Sequence, residues 1–203
     1  MPTQQLRKMR LTDDDESVLE AAVRLFGENS GIDWSTFCPT VFDLVRTSDG
    51  RFGIGRQATP LHDWGFVQGS IESFDENDLA AGFRELYEET GIRPDSVVSC
   101  KRRLFLDVCD CTRNPRMRGA VYAGHLFQLA PDVDVDLVRA SHGHELHEWR
   151  WGTVFEVSRL LSDQPGAHLA AHPRHAASVK QKVQQIFLPA LEQAALIGEL
   201  DDL

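Results

Sequence analysis

The chain has 203 residues, 42% of them hydrophobic, and a formal net charge of −10 at pH 7. A chain of this length buries a sizeable core, and one domain with terminal additions is its simplest organisation. The acidic balance argues against a broad nucleic-acid-binding surface, because such a surface needs a basic stripe to displace counterions from phosphates.

The sequence also lacks the features of a membrane or secreted protein. No apolar run approaches the roughly 18 residues that a membrane-spanning helix requires. The four cysteines show neither a secreted disulfide framework nor paired Cys-x-x-Cys zinc motifs. We therefore expect reduced thiols, no membrane association and a cytoplasmic location.

The first predicted element is an amphipathic helix over residues 14–26. The segment 12–16, Thr-Asp-Asp-Asp-Glu, offers helix caps and acids that complement the helix dipole. Apolar residues then recur at helical spacing until a glycine ends the pattern. We assign residues 1–36 to an N-terminal helical extension and residues 37–203 to the main domain.

Strands are predicted next. Runs at 39–47 and 52–57 are joined by Asp49-Gly50, and Asp-Gly between such runs is a strong hairpin signal. A third run begins at Trp64 and has the pattern of a short buried strand that opens into a glycine turn. Three strands therefore precede the acidic segment 84–92.

That segment, Arg-Glu-Leu-Tyr-Glu-Glu-Thr-Gly-Ile, gathers three carboxylates on one helical face. Positions i, i+3 and i+4 share a side, so Glu85, Glu88 and Glu89 project together. Like charges at this spacing destabilise an isolated helix by about 0.2–0.5 kcal/mol per pair, and a bound hard cation such as Mg²⁺ reverses that effect. A solvated acidic face, supported by pairs such as Arg84 with Glu88, is the alternative.

The residues before the helix favour the metal site. Glu76 precedes Arg84 by eight residues, after the strand and its glycine turn. This order resembles the Nudix hydrolase family, whose motif is Gly, five residues, Glu, seven residues, then Arg-Glu-aliphatic-x-Glu-Glu-x-Gly-aliphatic. The match is complete from Glu76 onward, but six residues separate Gly69 from Glu76. Either the loop carries an insertion or Ser70 takes the glycine position.

The resemblance implies a fold and an activity. The fold is a Nudix-type α/β/α sandwich with a mixed β-sheet, here with an extra N-terminal helix and a long C-terminal helix. The activity is hydrolysis of a phosphoanhydride bond in a nucleoside diphosphate derivative, with Mg²⁺ or Mn²⁺ bound by Glu85, Glu88 and Glu89. Arg84 then holds a neighbouring glutamate in place. The substrate-binding positions of the family match three residues, Arg56, Gln68 and Gly69.

Further elements follow the acidic helix. Strands are predicted at 97–108, 120–129 and 148–151, and apolar residues at helical spacing predict a closing helix over about 176–196. The last strand contains Trp-Arg-Trp, with a glutamate upstream of it. This segment resembles the corresponding part of the Nudix branch that cleaves RNA 5′ ends and dinucleoside polyphosphates. By that resemblance Glu145 completes the metal site or acts as general base, with Glu148 as the alternative.

A zinc site is the competing metal centre, since imidazole suits zinc. The histidine spacings match no zinc pattern, and three helical carboxylates prefer harder cations. The candidate histidines are His142, His144, His147, His168, His172 and His175.

The substrate and the partner remain open at this point. The Trp-Arg-Trp strand favours a dinucleoside polyphosphate or the 5′-triphosphate of RNA, whereas residues 67–72 also resemble (d)NTP pyrophosphohydrolases. A Nudix-like module that binds a nucleotide without cleaving it is the alternative of another class. Such modules commonly lose the motif glutamates, and this chain retains them. A homodimer through the terminal helices is compatible with the sequence.

Overall fold

The computed structural model describes residues 16–27, 31–57, 63–109, 117–138, 140, 146–163 and 173–201. Within these segments, one seven-stranded sheet lies between helices on its two faces. The predicted α/β/α sandwich with a mixed sheet is therefore confirmed. None of the helices in the described segments is long and apolar enough to cross a membrane.

The helices and strands are as follows. The helices are α1 Val18–Phe26, α2 Asp78–Thr90, α3 Val154–Ser162, α4 Pro173–Lys182 and α5 Leu188–Asp201, with a π-helical turn at Val183–Phe187 between the last two. The strands are β1 Phe37–Arg46, β2 Phe52–Gln57, β3 Trp64–Gly65, β4 Val67–Ser70, β5 Val97–Cys109, β6 Gly119–Leu129 and β7 Leu146–Gly152.

Strand β1 organises the sheet. It runs parallel to β6 along its whole length, with Asp43 opposite His125, and antiparallel to β4, with Asp43 opposite Val67. Its end turns through the predicted Asp49-Gly50 hairpin into β2. Strand β2 pairs in turn with β3 and β7, while β5 pairs with β6 at the far edge.

Each face of the sheet buries a separate apolar cluster. On one face, Leu86 of α2 packs with Val67 and Phe127. On the other, the π-helical turn places the ring of Phe187 5.6 Å from that of Phe42 and 5.2 Å from that of Phe66. Aromatic pairs at these separations stabilise a core beyond the area they bury.

Helix α1 packs on the same sheet face as α2. It begins at Val18, later than predicted, because Ser17 and Glu20 form a capping box there. Ala21 and Ala22 are buried in a cluster with residues of β5 and β6. The division of the chain after residue 36 stays a prediction.

Two sequence expectations need correction. Helix α3 was not predicted, although Thr153 and Glu156 form a capping box at its start. The expectation of reduced thiols holds for Cys38 and Cys100, whereas Cys109 is in a disulfide.

A buried polar network joins α1, α2 and the sheet. Asp78, in the first turn of α2, accepts hydrogen bonds from Arg102 and Arg103, and Arg103 also donates to the carbonyl of Glu16. Burial alone would raise the pKa of Asp78, but the arginine hydrogen bonds outweigh it and hold the pKa below its usual range. Burial lowers the pKa of His125 to about 4, so its ring is neutral and accepts from the Arg103 N–H at 3.0 Å.

Asp43 lies beside this network without joining it. It is fully buried, and neither of its carboxyl oxygens has a hydrogen-bond partner among the described residues. The absence of a side chain at Gly82 gives it room, because a Cβ there would lie 2.9 Å from Asp43 Oδ1. Burial raises its pKa well above the usual range, and repulsion from Glu85 and Asp78 adds to the effect.

Replacement of Asp43 by Asn should therefore make the protein less sensitive to pH. Because the folded-state pKa is raised, wild-type stability is complete below the unfolded pKa of about 3.9 and falls as pH rises toward the folded value. Over that range, the free energy of unfolding of Asp43→Asn should rise relative to that of wild type by about 1.4 kcal/mol per pH unit. Chemical denaturation of the metal-free protein at several pH values measures this, with the exposed Asp132→Asn as control; parallel pH profiles would contradict it.

Candidate active site

Helix α2 presents the predicted carboxylates because both of its ends are well capped. The Asn77 side chain accepts from the Ala80 N–H at 2.9 Å and starts the helix. Gly91 ends it in the left-handed conformation, with φ of 74°, and its N–H donates to the Tyr87 carbonyl. The acidic segment therefore lies in regular helix up to Thr90.

Arg84 is the centre of the site. Its Nη1 donates to Glu85 Oε1 at 2.6 Å and to Glu88 Oε2 at 3.3 Å. Its other donors bind both oxygens of Asp75, at 3.0 and 2.9 Å, and the carbonyl of Ser70. One guanidinium thus ties two helical carboxylates to the loop that precedes the helix.

The predicted contact of Arg84 with neighbouring glutamates is present, but Asp75 was missed. The bond from Arg84 lowers the pKa of Asp75, and the Glu72 N–H adds to the effect. The hydrogen bond to Asp75 is also the largest cause that raises the pKa of Arg84. Acidic loop residues are common, so the sequence alone did not distinguish Asp75 from its neighbours.

Gly69 lies directly against Glu85. A Cβ at position 69 would overlap the Glu85 carboxylate, with Oε1 as the nearest atom. The requirement for glycine before the acidic helix therefore falls on Gly69 and not on Ser70, whose carbonyl instead accepts from Arg84. The six-residue spacing to Glu76 is accommodated by the loop between them.

The three helical glutamates differ in burial. The Glu88 side chain is 52% exposed, that of Glu85 is 13% exposed, and Glu89 is buried. No group of three metal-ligating side chains stands together among the described residues. Arg84 occupies Glu85 and Glu88, and the predicted fourth ligand, Glu145, lies outside the described residues.

Arg56 and Glu148, two further predicted residues, lie on the sheet face opposite α2. Arg56 of β2 forms an ion pair with Glu148 at 3.6 Å and lies 5.8 Å from the ring of Trp64. Arg150 donates to the same Glu148 carboxylate, at 2.6 Å from Nε. Glu148, the alternative to Glu145, is thus engaged by two arginines.

Gln68 contacts the C-terminal helix, and His147 contacts the sheet. Gln68 Oε1 accepts from Lys182 Nζ at 3.2 Å, and His147 Nδ1 lies 3.0 Å from the Gln57 carbonyl. His142, His144, His168 and His172 lie outside the described residues, as do the side-chain surroundings of His175.

Comparison with known proteins identifies the family of the chain. A family model described as NUDIX domain matches residues 36–173. An RNA pyrophosphohydrolase of Xylella fastidiosa (strain 9a5c) is 32% identical over 160 residues, which cover 75% of this chain and 83% of the relative. An RNA pyrophosphohydrolase of Aeromonas hydrophila subsp. hydrophila is 30% identical over 140 residues, which cover 64% of this chain and 79% of that protein.

Among solved structures, the dihydroneopterin triphosphate pyrophosphohydrolase of E. coli has a similar fold, with a TM-score of 0.51 and 14% identity. The match covers 66% of this chain and 95% of that one. The chain belongs to the NUDIX domain family. It is a Nudix hydrolase, an enzyme of the pyrophosphohydrolase class.

Replacement of Asp75 by Asn should weaken the Arg84 cluster. The half-buried Arg84 guanidinium loses its bidentate carboxylate, and we expect a loss of about 1–3 kcal/mol in the free energy of unfolding at pH 7. Because the folded-state pKa of Asp75 is lowered, its contribution is present above the unfolded pKa and is lost as pH falls through the folded value. The difference from wild type should therefore shrink below about pH 4.

Denaturant unfolding at pH 7 and at lower pH measures this difference. Asp95→Asn, at an exposed position in the turn after α2, is the matched control and should leave stability unchanged. A stability loss in Asp75→Asn that persists unchanged at low pH would assign the effect to side-chain packing and not to the ion pair.

Proposed function

We propose that this enzyme hydrolyses the phosphoanhydride bonds of nucleotides with a 5′-polyphosphate, and that the triphosphorylated 5′ end of RNA is its first candidate substrate. The observation that carries the proposal is the set of Arg84 contacts, which hold the Glu85 and Glu88 carboxylates side by side on α2. The names of the relatives from Xylella fastidiosa and Aeromonas hydrophila support RNA as the substrate. Dinucleoside polyphosphates share the same reacting group.

The donor set fits a hard divalent cation. Carboxylate oxygens are the ligands that Mg²⁺ and Mn²⁺ prefer, and the metal would be held by Glu85, Glu88, Glu89 and Glu145. A cation bound there would share these carboxylates with Arg84, whose Nη1 contacts one oxygen of Glu85 and one of Glu88. When bound, such an ion polarises the phosphate and lowers the pKa of a coordinated water.

The chain's own residues orient the reaction. Arg84 fixes the rotamers of Glu85 and Glu88, and Asp75 fixes Arg84, so the carboxylates are positioned before substrate arrives. Glu145 either completes the metal site or is the general base that takes the proton from the attacking water. Arg56 is the proposed phosphate ligand, with Gln68 and Gly69 beside the substrate.

Two other functions are distinguishable from this one. Cleavage of (d)NTPs remains the alternative activity, and a nucleotide-binding module without turnover is the alternative of another class. The retained glutamates favour an enzyme, because Nudix-like modules that only bind a nucleotide commonly lose them. The cytoplasmic location and the homodimer are further expectations of the proposal.

The first experiment is a substrate panel. The purified protein is incubated with Mg²⁺ or Mn²⁺ and with triphosphorylated RNA, diadenosine polyphosphates, dNTPs, ADP-ribose or NADH, and the products are separated by chromatography. We expect metal-dependent release of phosphate or pyrophosphate from RNA. Cleavage of dNTPs alone would overturn the assignment to RNA, and tight binding without cleavage would indicate the non-catalytic module.

Replacement of Glu88 by Gln should abolish most turnover and preserve folding. The side chain is half exposed, so its exchange does not disturb the core. A metal ligand contributes several kcal/mol to transition-state stabilisation, so kcat should fall by about 100-fold or more. Steady-state kinetics and thermal unfolding measure both quantities, with Glu192→Gln on the exposed face of α5 as control. If Glu88→Gln were as active as Glu192→Gln, Glu88 would not be a metal ligand.

A further inference from the structure

Helix α4 places a positive charge on the face of β4 opposite the catalytic helix α2. Lys182 is the last residue of α4, and its Nζ donates to Gln68 Oε1 of β4 at 3.2 Å. The next residue of β4, Gly69, lies against Glu85. Because successive strand residues face opposite sides, Lys182 and Glu85 flank β4 from its two faces.

The backbone changes its helical form directly after Lys182. The π-helical turn Val183–Phe187 follows, with Val183, Ile186 and Phe187 buried in the core. A π turn within an α-helix is rare and is found frequently at functional sites. Lys182 Nζ lies 5.2 Å from the centroid of the Phe187 ring, which is within cation–π range.

Close packing of β3 against the π-helical turn fixes the position of this charge. A Cβ at Gly65 would lie 3.2 Å from Phe187 Cε2 and 3.8 Å from Gln68 Nε2. The ring and the amide that hold Lys182 are therefore both packed against the same glycine. The hydrogen bond to Gln68 and the contact with the Phe187 ring thus place the Lys182 ammonium beside β4.

β4 lies at an edge of the described sheet. Within the described segments β4 pairs only with β1. Gln68 and Gly69 are half-buried, and Ser70 at the end of the strand is exposed. In the arrangement that we infer, a chain of phosphates that begins at the carboxylates passes around this edge of β4 toward Lys182.

We propose that Lys182 binds a phosphate group of the substrate other than the one attacked, on the face of β4 opposite Glu85. This inference rests on the proposed function. The lysine ammonium is a compact charge that binds phosphate well, and Gln68 orients it through the hydrogen bond. In a protein of net charge −10, a fixed cation beside the site offsets the repulsion that a polyphosphate would meet.

The phosphate is either a phosphodiester of the RNA chain or a distal phosphate of a dinucleoside polyphosphate. Lys182→Met keeps the apolar stem over Phe187 and removes the charge. With Mg²⁺ and either triphosphorylated RNA or diadenosine tetraphosphate, we expect KM to rise about tenfold, the effect of one charge-assisted hydrogen bond. The value of kcat should change little, because the contact is equal in ground and transition states.

Two further variants isolate the charge. Lys182→Arg should restore KM to near the wild-type value. Lys180→Met removes an exposed lysine from the same helix and should leave KM unchanged. A rise of KM with RNA alone identifies a phosphodiester, and a rise with diadenosine tetraphosphate alone identifies the polyphosphate chain.

Several results would overturn the inference. One is an unchanged KM in Lys182→Met at an unchanged Tm, and another is a loss of kcat with constant KM. If Lys182→Met unfolds, failure of Lys182→Arg to bind substrate like wild type has the same meaning. If wild type cleaves neither compound, the proposed function fails independently of Lys182. Equilibrium binding of triphosphorylated RNA then tests the role of Lys182 in phosphate binding. An about tenfold weaker Kd in Lys182→Met would support that role, and an unchanged Kd would overturn it.

Discussion

The ion pairs of Arg84 are the interaction on which the site depends. A single guanidinium binds two carboxylates of α2, one carboxylate of the preceding loop and one carbonyl at the end of β4. Through these contacts Arg84 anchors the loop to the helix, and its positive charge offsets the repulsion between the clustered carboxylates. Arginine suits this place because its planar fork directs several donors in fixed geometry, which a lysine does not do.

Beneath the helix a second set of charges supports the first. Asp78 is held by Arg102 and Arg103, and His125 is kept neutral by burial, so this layer carries little net repulsion. Asp43 is the exception, a buried carboxyl without a described hydrogen-bond partner below the acidic helix α2. Buried polar groups without hydrogen bonds lower the stability of the fold. They occur near functional sites, where the chemistry of the site requires them.

The elements predicted from the sequence are those whose formation depends on residues close together in the chain. The acidic helix, the Asp-Gly hairpin and the strands were recognisable because caps, glycines and periodicity act over a few residues. The partners of Arg84 were only half predicted, since Glu88 is four residues away but Asp75 reaches Arg84 through the fold of the loop. The contact of Lys182 with Gln68 spans 114 residues of sequence, and no local pattern records it. The capping box of helix α3 is visible in the sequence, but nine residues carry too short an apolar pattern to distinguish a helix from a loop.

The link from Arg103 to Glu16 has a consequence for how the molecule opens. Arg103 adopts a left-handed backbone conformation, with φ of 48°, and from there it bonds both the carbonyl before α1 and the carboxylate in the first turn of α2. Local unfolding proceeds in cooperative units whose members share such contacts. Because Arg103 contacts both, we expect the N-terminal helix and the start of the catalytic helix to open together, so that amide hydrogens in both exchange with solvent at a common opening free energy.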